Sequence, residues 1–242
     1  MKGTRIAILG GSSGIGLAAA QLLAGRGAEI WIAGRDAAKL AAAAKSIGGH
    51  VQARQVDATS RAAMETFFAE TGGLDHLVLT LSGGDGAGPI ADLDLANLRK
   101  GFEAKFWPHL NAAQAALKHL RPAHAASGGS ITFVTAASAG GHLPGTSGLA
   151  AINGALNAMV PVLAVELKPL RVNAVSPGAI DTAWWDRWPA EQKAALFADL
   201  ATTSPVGRIG RAEDVADAIA FVVGNGFVTG QIVQCDGGIQ LR

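Results

Sequence analysis

Residues 6–17 read Ile6-Ala7-Ile8-Leu9-Gly10-Gly11-Ser12-Ser13-Gly14-Ile15-Gly16-Leu17. An unbroken apolar run of strand length leads into a glycine-rich turn, and an alanine-rich stretch follows. A strand without polar alternation suits a sheet covered on both faces. Glycines at 10, 14 and 16 let the backbone turn sharply, approach a diphosphate and seat the next helix against the strand. The start of that helix offers unpaired N–H groups and the positive end of its dipole to an anion. A plain glycine-rich turn would look the same in isolation. Its place between the first strand and the first helix of a long series favours the nucleotide reading.

That series runs outward along the chain. Arg5–Leu9, Glu29–Ala33, Val51–Gln55, Asp75–Leu79, Ser130–Thr135, Arg171–Val175 and Gln231–Cys235 read as buried strands. Gly14–Gly25, Asp36–Ile47, Arg61–Glu70, Asp94–Leu120, Gly148–Leu167 and Ala212–Val223 read as helices between them. Such alternation predicts right-handed βαβ units. The expected fold is α/β, a single-domain Rossmann fold over residues 1–242, with a doubly wound parallel sheet of about seven strands. Only Asp181–Pro205 breaks the rhythm and reads as an irregular insertion where substrate lids sit; its Trp184, Trp185 and Trp188 read equally as an apolar substrate cover or as subunit-interface anchors.

Composition narrows the function classes. The chain has 242 residues, 49% apolar and 16% charged, which suits one large core and argues against disorder. A net charge of +1, with no basic run longer than two residues, excludes the electrostatic footprint of a nucleic-acid binder. The single cysteine, Cys235, gives no sign of an oxidising compartment. The apolar run near the N-terminus is too short for a signal or a membrane span. A cytoplasmic protein with no membrane association is expected. The histidines at 50, 76, 109, 119, 124 and 142 are scattered, and no metal constellation is predicted.

The motifs resemble those of the short-chain dehydrogenases/reductases, essentially from end to end. Gly10-x-x-x-Gly14-x-Gly16 has the spacing of that family's fingerprint. Asn173-Ala174-Val175-Ser176-Pro177-Gly178 matches its strand end, and Gly207–Asp214 and Thr229–Gly238 match its closing segments. The resemblance implies a cofactor site formed by Gly10, Ser12, Ser13, Gly14, Ile15, Gly16, Asp57, Asn153, Pro177, Gly178, Ile180 and Thr182. It assigns Asp57 to the adenine amino group, the Ile180 backbone and Thr182 to the nicotinamide carboxamide or the phosphates, and two long helices to a homodimer or homotetramer contact.

The second strand bears on the cofactor. Gly34 stands where NAD-preferring relatives carry an acidic residue, and Arg35 follows. A guanidinium fork suits a 2′-phosphate, so NADP(H) is expected over NAD(H). The alternative is that Arg35 pairs with Asp36 or stacks on adenine.

The resemblance also implies a catalytic tetrad of Asn, Ser, Tyr and Lys. Counting from Gly129–Ala136 and from Asn157–Met159 puts Ala136 at the serine, Leu149 at the tyrosine and Asn153 at the lysine. Lys105 falls at the asparagine. The chain contains no tyrosine at all. Lys and Asn have thus exchanged places, which suggests Lys105 as a displaced proton donor and Asn153 as a ribose ligand; the alternative is that Lys105 is only an electrostatic partner for the cofactor. Ser138 could take over the role of the lost serine. Thr135, His142 and Ser147 are further polar residues of that region. The expectation is an oxidoreductase acting on a small-molecule carbonyl or alcohol. The alternative is a catalytically inactive dinucleotide-binding sensor or assembly protein.

Overall fold

The computed structural model describes residues 1–49, 51–121 and 128–241; His50 and His124 lie outside them. Seven parallel strands form one sheet in the order β3-β2-β1-β4-β5-β6-β9. They are β1 (Arg5–Leu9), β2 (Glu29–Gly34), β3 (Val51–Gln55), β4 (His76–Leu79), β5 (Ser130–Val134), β6 (Arg171–Pro177) and β9 (Ile232–Cys235). These are the seven runs read from the sequence; β1 and β3 have the expected bounds, and the other five differ at one end by one or two residues. The strand order reverses between β1 and β4, which opens a crevice at their carboxyl ends, where α/β sheets bind ligands.

Helices cover both faces. On one side lie α1 (Gly14–Gly25), α2 (Ala37–Ile47) and α8 (Ala212–Gly224); on the other, α3 (Arg61–Glu70), α5 (Trp107–Ala116) and α6 (Ser147–Glu166). Strand β1 shows why its sequence does not alternate. Ile6 and Ile8 enter the core under α1 and α8, while Ala7 and Leu9 enter the opposite core with Phe67, Phe133 and Leu156.

Two readings need correction. The stretch expected as one helix, Asp94–Leu120, is broken into α4 (Leu95–Gly101), a π turn (Phe102–Phe106), α5 and a 3₁₀ turn (Leu117–His119). Pro108 has no N–H to give the preceding turn, and the Trp107 N–H reaches back five residues to Phe102 O. The insertion expected as irregular, Asp181–Pro205, carries a 3₁₀ turn (Ala183–Arg187) and α7 (Ala190–Thr203). It is framed by a small parallel pair, β7 (Ile180–Asp181) and β8 (Gly210–Arg211).

Helix α6 is the one described helix long and apolar enough, by length and composition, to cross a bilayer. Its inner residues Ile152, Leu156 and Val160 lie in the core, while Val162 and Val165 are exposed.

Arg171 fastens the carboxyl end of α8 to the sheet. Its guanidinium donates to Val222 O (2.6 Å), Val223 O (2.7 Å) and Val228 O (3.1 Å), carbonyls that no helical N–H can reach. Arg171→Met would take this donor from the Val222 and Val223 carbonyls, while Val228 O keeps the Asn173 amide at 2.9 Å. A loss of about 2–4 kcal/mol is expected in urea unfolding; a change within error would show that solvent replaces the guanidinium.

Candidate cofactor and active site

The turn between β1 and α1 leaves no room for side chains. Gly10 has a φ of +87° and Gly14 a φ of +51°, in the left-handed region that glycine tolerates. A Cβ on Gly16 would collide with Gly10 O, and one on Gly10 would come 2.6 Å from Thr80 Oγ1. Thr80, just past β4, donates its hydroxyl to Leu9 O at 2.8 Å and its N–H to the same carbonyl at 2.9 Å. Ser13 precedes α1 in extended conformation, its side chain caps nothing, and the first turn carries no acidic residue. The helix start thus keeps its donors and its positive end for an external anion. Ser12 lies beside Gly34, its Oγ 3.5 Å from where a Cβ would stand.

At the far end of β2, Arg35 is exposed and its carbonyl accepts from Gln55. Asp36 does not pair with it; its Oδ1 caps α2 by accepting from the Lys39 N–H at 3.0 Å. Asp57 Oδ1 accepts from the Thr59 N–H (2.9 Å) and hydroxyl (2.8 Å). These bonds, with the charge of Arg35, hold the Asp57 carboxyl below the usual carboxylate range.

Lys105 sits in the π turn and is 9% exposed. Its ammonium donates to Thr135 O at 3.0 Å, just past β5. Burial pulls its pKa down from 10.5 to about 8. One helical turn on, His109 is fully buried, with its ring nitrogens 2.7 Å from Lys105 O and 3.2 Å from Leu79 O. Whichever nitrogen carries the proton has a carbonyl to donate to. Burial, then the nearby Lys105 charge, holds this imidazole neutral, with a pKa of about 3.

Asn153, on α6, is 4% exposed. Its amide donates to Leu149 O (2.9 Å) and Ser138 Oγ (3.2 Å), while its Oδ1 is buried without a partner. The loop between β5 and α6 therefore receives Lys105 at Thr135 and Asn153 at Ser138. Ala136 lies between those two positions on the loop, and both Ala136 and Leu149 are half-buried. His142 and Ser147 are exposed.

The segment after β6 folds back over this region. Gly178 lies against Asp236, where a Cβ would come 2.8 Å from its Cα, and the Gly178 N–H donates to Cys235 O. The Ile180 carbonyl is occupied by the Trp185 indole N–H at 2.9 Å. Thr182 rests on the glycine turn, its Cβ 3.4 Å from where a Cβ on Gly14 would stand. Trp184, Trp185 and Trp188 meet edge to face in sequence, and Trp185 meets Phe197 of α7. The Trp184 indole N–H donates to Gly83 O at 3.1 Å, which ties this segment to the loop after β4. Thr80, His109 and Arg187 belong to the region although the sequence reading gave them no site role; Pro108 was the one signal for the bend that carries His109.

A family model described as enoyl-(acyl carrier protein) reductase matches residues 10–240. A short-chain dehydrogenase/reductase of Stachybotrys chlorohalonatus is 33% identical, with 100% of this chain and 99% of that protein aligned. A cis-4-hydroxycyclohexanecarboxylate dehydrogenase of Sinomonas cyclohexanicum is also 33% identical, over 97% and 96%. Among solved structures, a small-chain dehydrogenase in complex with NADPH superposes with a TM-score of 0.83 at 29% identity, covering 100% of both chains. The chain belongs to the short-chain dehydrogenase/reductase family.

The residues present fit the dinucleotide that such a member binds. The glycine turn and uncapped α1 suit a diphosphate, and the orphaned Asn153 Oδ1 suits a hydroxyl donor. Membership and the names of the relatives together support an NAD(P)-dependent oxidoreductase. Among the described residues no cluster of His, Cys, Asp and Glu could hold a metal.

The buried amine gives a pH signature. Between about pH 8 and 10.5 the unfolded chain holds the Lys105 proton that the folded chain has released, so raising the pH through that window favours folding. The stability of the wild type relative to Lys105→Met should therefore rise by about 3 kcal/mol across it. Denaturant unfolding at stepped pH measures this; a flat difference would mean that the amine is not shielded.

Proposed function

We propose that this protein is an NADP(H)-preferring oxidoreductase that interconverts a carbonyl and an alcohol, with Lys105 in place of the missing tyrosine. The observation that carries the reading is the buried Lys105 ammonium, aimed at the loop that also meets Asn153. The bound nicotinamide would supply or accept the hydride. In the reductive direction the Lys105 Nζ gives its proton to the substrate oxygen and becomes a neutral amine. A pKa of about 8 keeps that proton on at neutral pH and makes it easier to release than from an ordinary lysine. Asn153 holds a ribose hydroxyl through its free Oδ1, and Ser138 orients the Asn153 amide beside the substrate oxygen. The glycine turn, Ser12, Ser13 and Ile15 carry the diphosphate, Thr182 closes over it, and Asp57 faces the adenine. Pro177, Gly178 and the Ile180 N–H border the nicotinamide. One domain spans residues 1–242 in this reading, and the outer faces of α5 and α6 join copies into a dimer or tetramer.

Lys105→Met should cut NADPH oxidation across a panel of aldehydes and ketones by about 100-fold or more. NADPH affinity by calorimetry should stay within about threefold, since Lys105 contributes to proton transfer and not to the phosphate cradle. Turnover unchanged in the variant would end the Lys105 assignment.

The absence of any tyrosine favours one other reading, a dinucleotide-binding sensor without turnover. Tight NADPH binding by the wild type, with no oxidation across the panel, would select it.

The cofactor preference rests on Arg35, which is exposed and not engaged by Asp36. Arg35→Ala should weaken NADPH binding by about 10–100-fold. NADH affinity should move less than about twofold, because NADH has no 2′-phosphate. Equal losses for both would show that Arg35 only stacks on adenine.

A further inference from the structure

The segment after β7 carries an arginine that forms no ion pair among the described residues. Arg187, at the end of the 3₁₀ turn, lays its guanidinium over the Trp184 ring, 4.2 Å from the centroid, and its Nε donates to Trp184 O at 2.9 Å. Its Nη1 occupies the space that a Cβ on Gly84 would take. Gly84 is next to Gly83, which both accepts the Trp184 indole bond and packs on Ala104, the neighbour of Lys105. Arg187 is thus held at the mouth of the crevice that holds the buried amine.

Asp181, Asp186 and Asp85 each take a partner elsewhere, and none is within ion-pair distance of Arg187. Asp181 and Asp186 both pair with Lys193, at 3.1 Å and 3.4 Å. Asp85 Oδ1 accepts from the Asn97 amide at 2.8 Å, and the Asn97 carbonyl oxygen holds the Gly86 N–H. Among the described residues Arg187 forms no ion pair, and its Nη1 and Nη2 make no hydrogen bond. The guanidinium is held between the Trp184 ring and Gly84 with no hydrogen bond at either outer nitrogen, so its charge is available to a carboxylate. The rest of the segment, with Trp184, Trp185 and Trp188, offers apolar surface.

We propose that Arg187 is a specificity-determining residue that clasps a carboxylate of the substrate. The substrate is then a hydroxy acid or oxo acid, with an apolar body packed under the tryptophans and its reacting carbon away from the carboxylate. This rests on the reading of the crevice as an oxidoreductase site.

The test separates the two. Matched acid and amide pairs, benzoate with benzamide and hexanoate with hexanamide, are titrated calorimetrically into the NADPH-loaded protein. The acid of at least one pair should bind about tenfold or more tighter than its amide. Arg187→Lys should keep part of that ratio. Arg187→Met should bring it close to one while leaving the amide's affinity unchanged. The proposal is overturned by a wild-type ratio near one for both pairs, or by a ratio that survives in Arg187→Met. It is also overturned if that variant weakens acid and amide alike, which is the mark of a structural prop, or if it weakens NADPH itself, which would assign the guanidinium to the cofactor. Should Arg187→Met fail to fold, the wild-type ratio and Arg187→Lys still decide. Reduction of neutral ketones as fast as oxo acids sinks the Arg187 role and leaves the oxidoreductase reading standing. Acid-selective binding with no NADPH oxidation by any oxo acid does the reverse.

Discussion

The close seat of α1 on the end of β1 is the constraint from which the rest of the site follows. A Cβ at Gly16 would run into Gly10 O, and one at Gly10 into Thr80, so only hydrogen fits at either place. The helix therefore begins directly above the sheet, with its free N–H groups facing the crevice where the strand order reverses. Thr80 stitches the ends of β1 and β4 together at Leu9 O. Thr182 rests on Gly14, and the segment that follows it is tied to Gly83. The glycine turn, the β4 loop and the segment after β7 form one packed junction.

A second constraint comes from burying an amine. Lysine is almost never buried without a partner, because the ammonium loses its hydration. Lys105 has one carbonyl, Thr135 O, in place of several waters. The π turn places the side chain there, and such turns concentrate at functional sites. The neighbouring imidazole does not add to the charge: His109 stays neutral and spends its ring on two carbonyls that pin the turn to the end of β4. The local structure thus tolerates one positive charge and excludes a second.

The sheet was legible because a parallel strand covered on both faces has nothing to alternate with. Ile6 through Leu9 and Ile131 through Val134 are apolar or small for that reason, and their runs could be read directly. The bend at Phe102–Phe106 was not legible. Apolar and alanine residues continue through it at helical spacing, and only Pro108, with no N–H, betrays it. Helix α7 was hidden by the tryptophans before it, although Ala190–Thr203 is rich in helix formers. In the site, counting along two motifs placed Asn153, and the structure sets it against Ser138. What no spacing could supply was three-dimensional: that Asp181 and Asp186 would both turn to Lys193, and that the Asp85 carboxylate would accept from Asn97.

The exchange of lysine and asparagine has a simple electrostatic logic on the proposed assignment. In the family pattern an ammonium on the α6 side stabilises a tyrosinate close by. On the count that puts Leu149 at the tyrosine, a lysine at 153 would have no tyrosinate to pair with. A neutral amide satisfies the site instead, donating to Ser138 and Leu149 O and keeping an acceptor free. The single ammonium moves to the opposite helix, where a π turn brings it to Thr135 O. On this assignment the buried ammonium of the crevice is Lys105, and it holds the proton the chemistry needs.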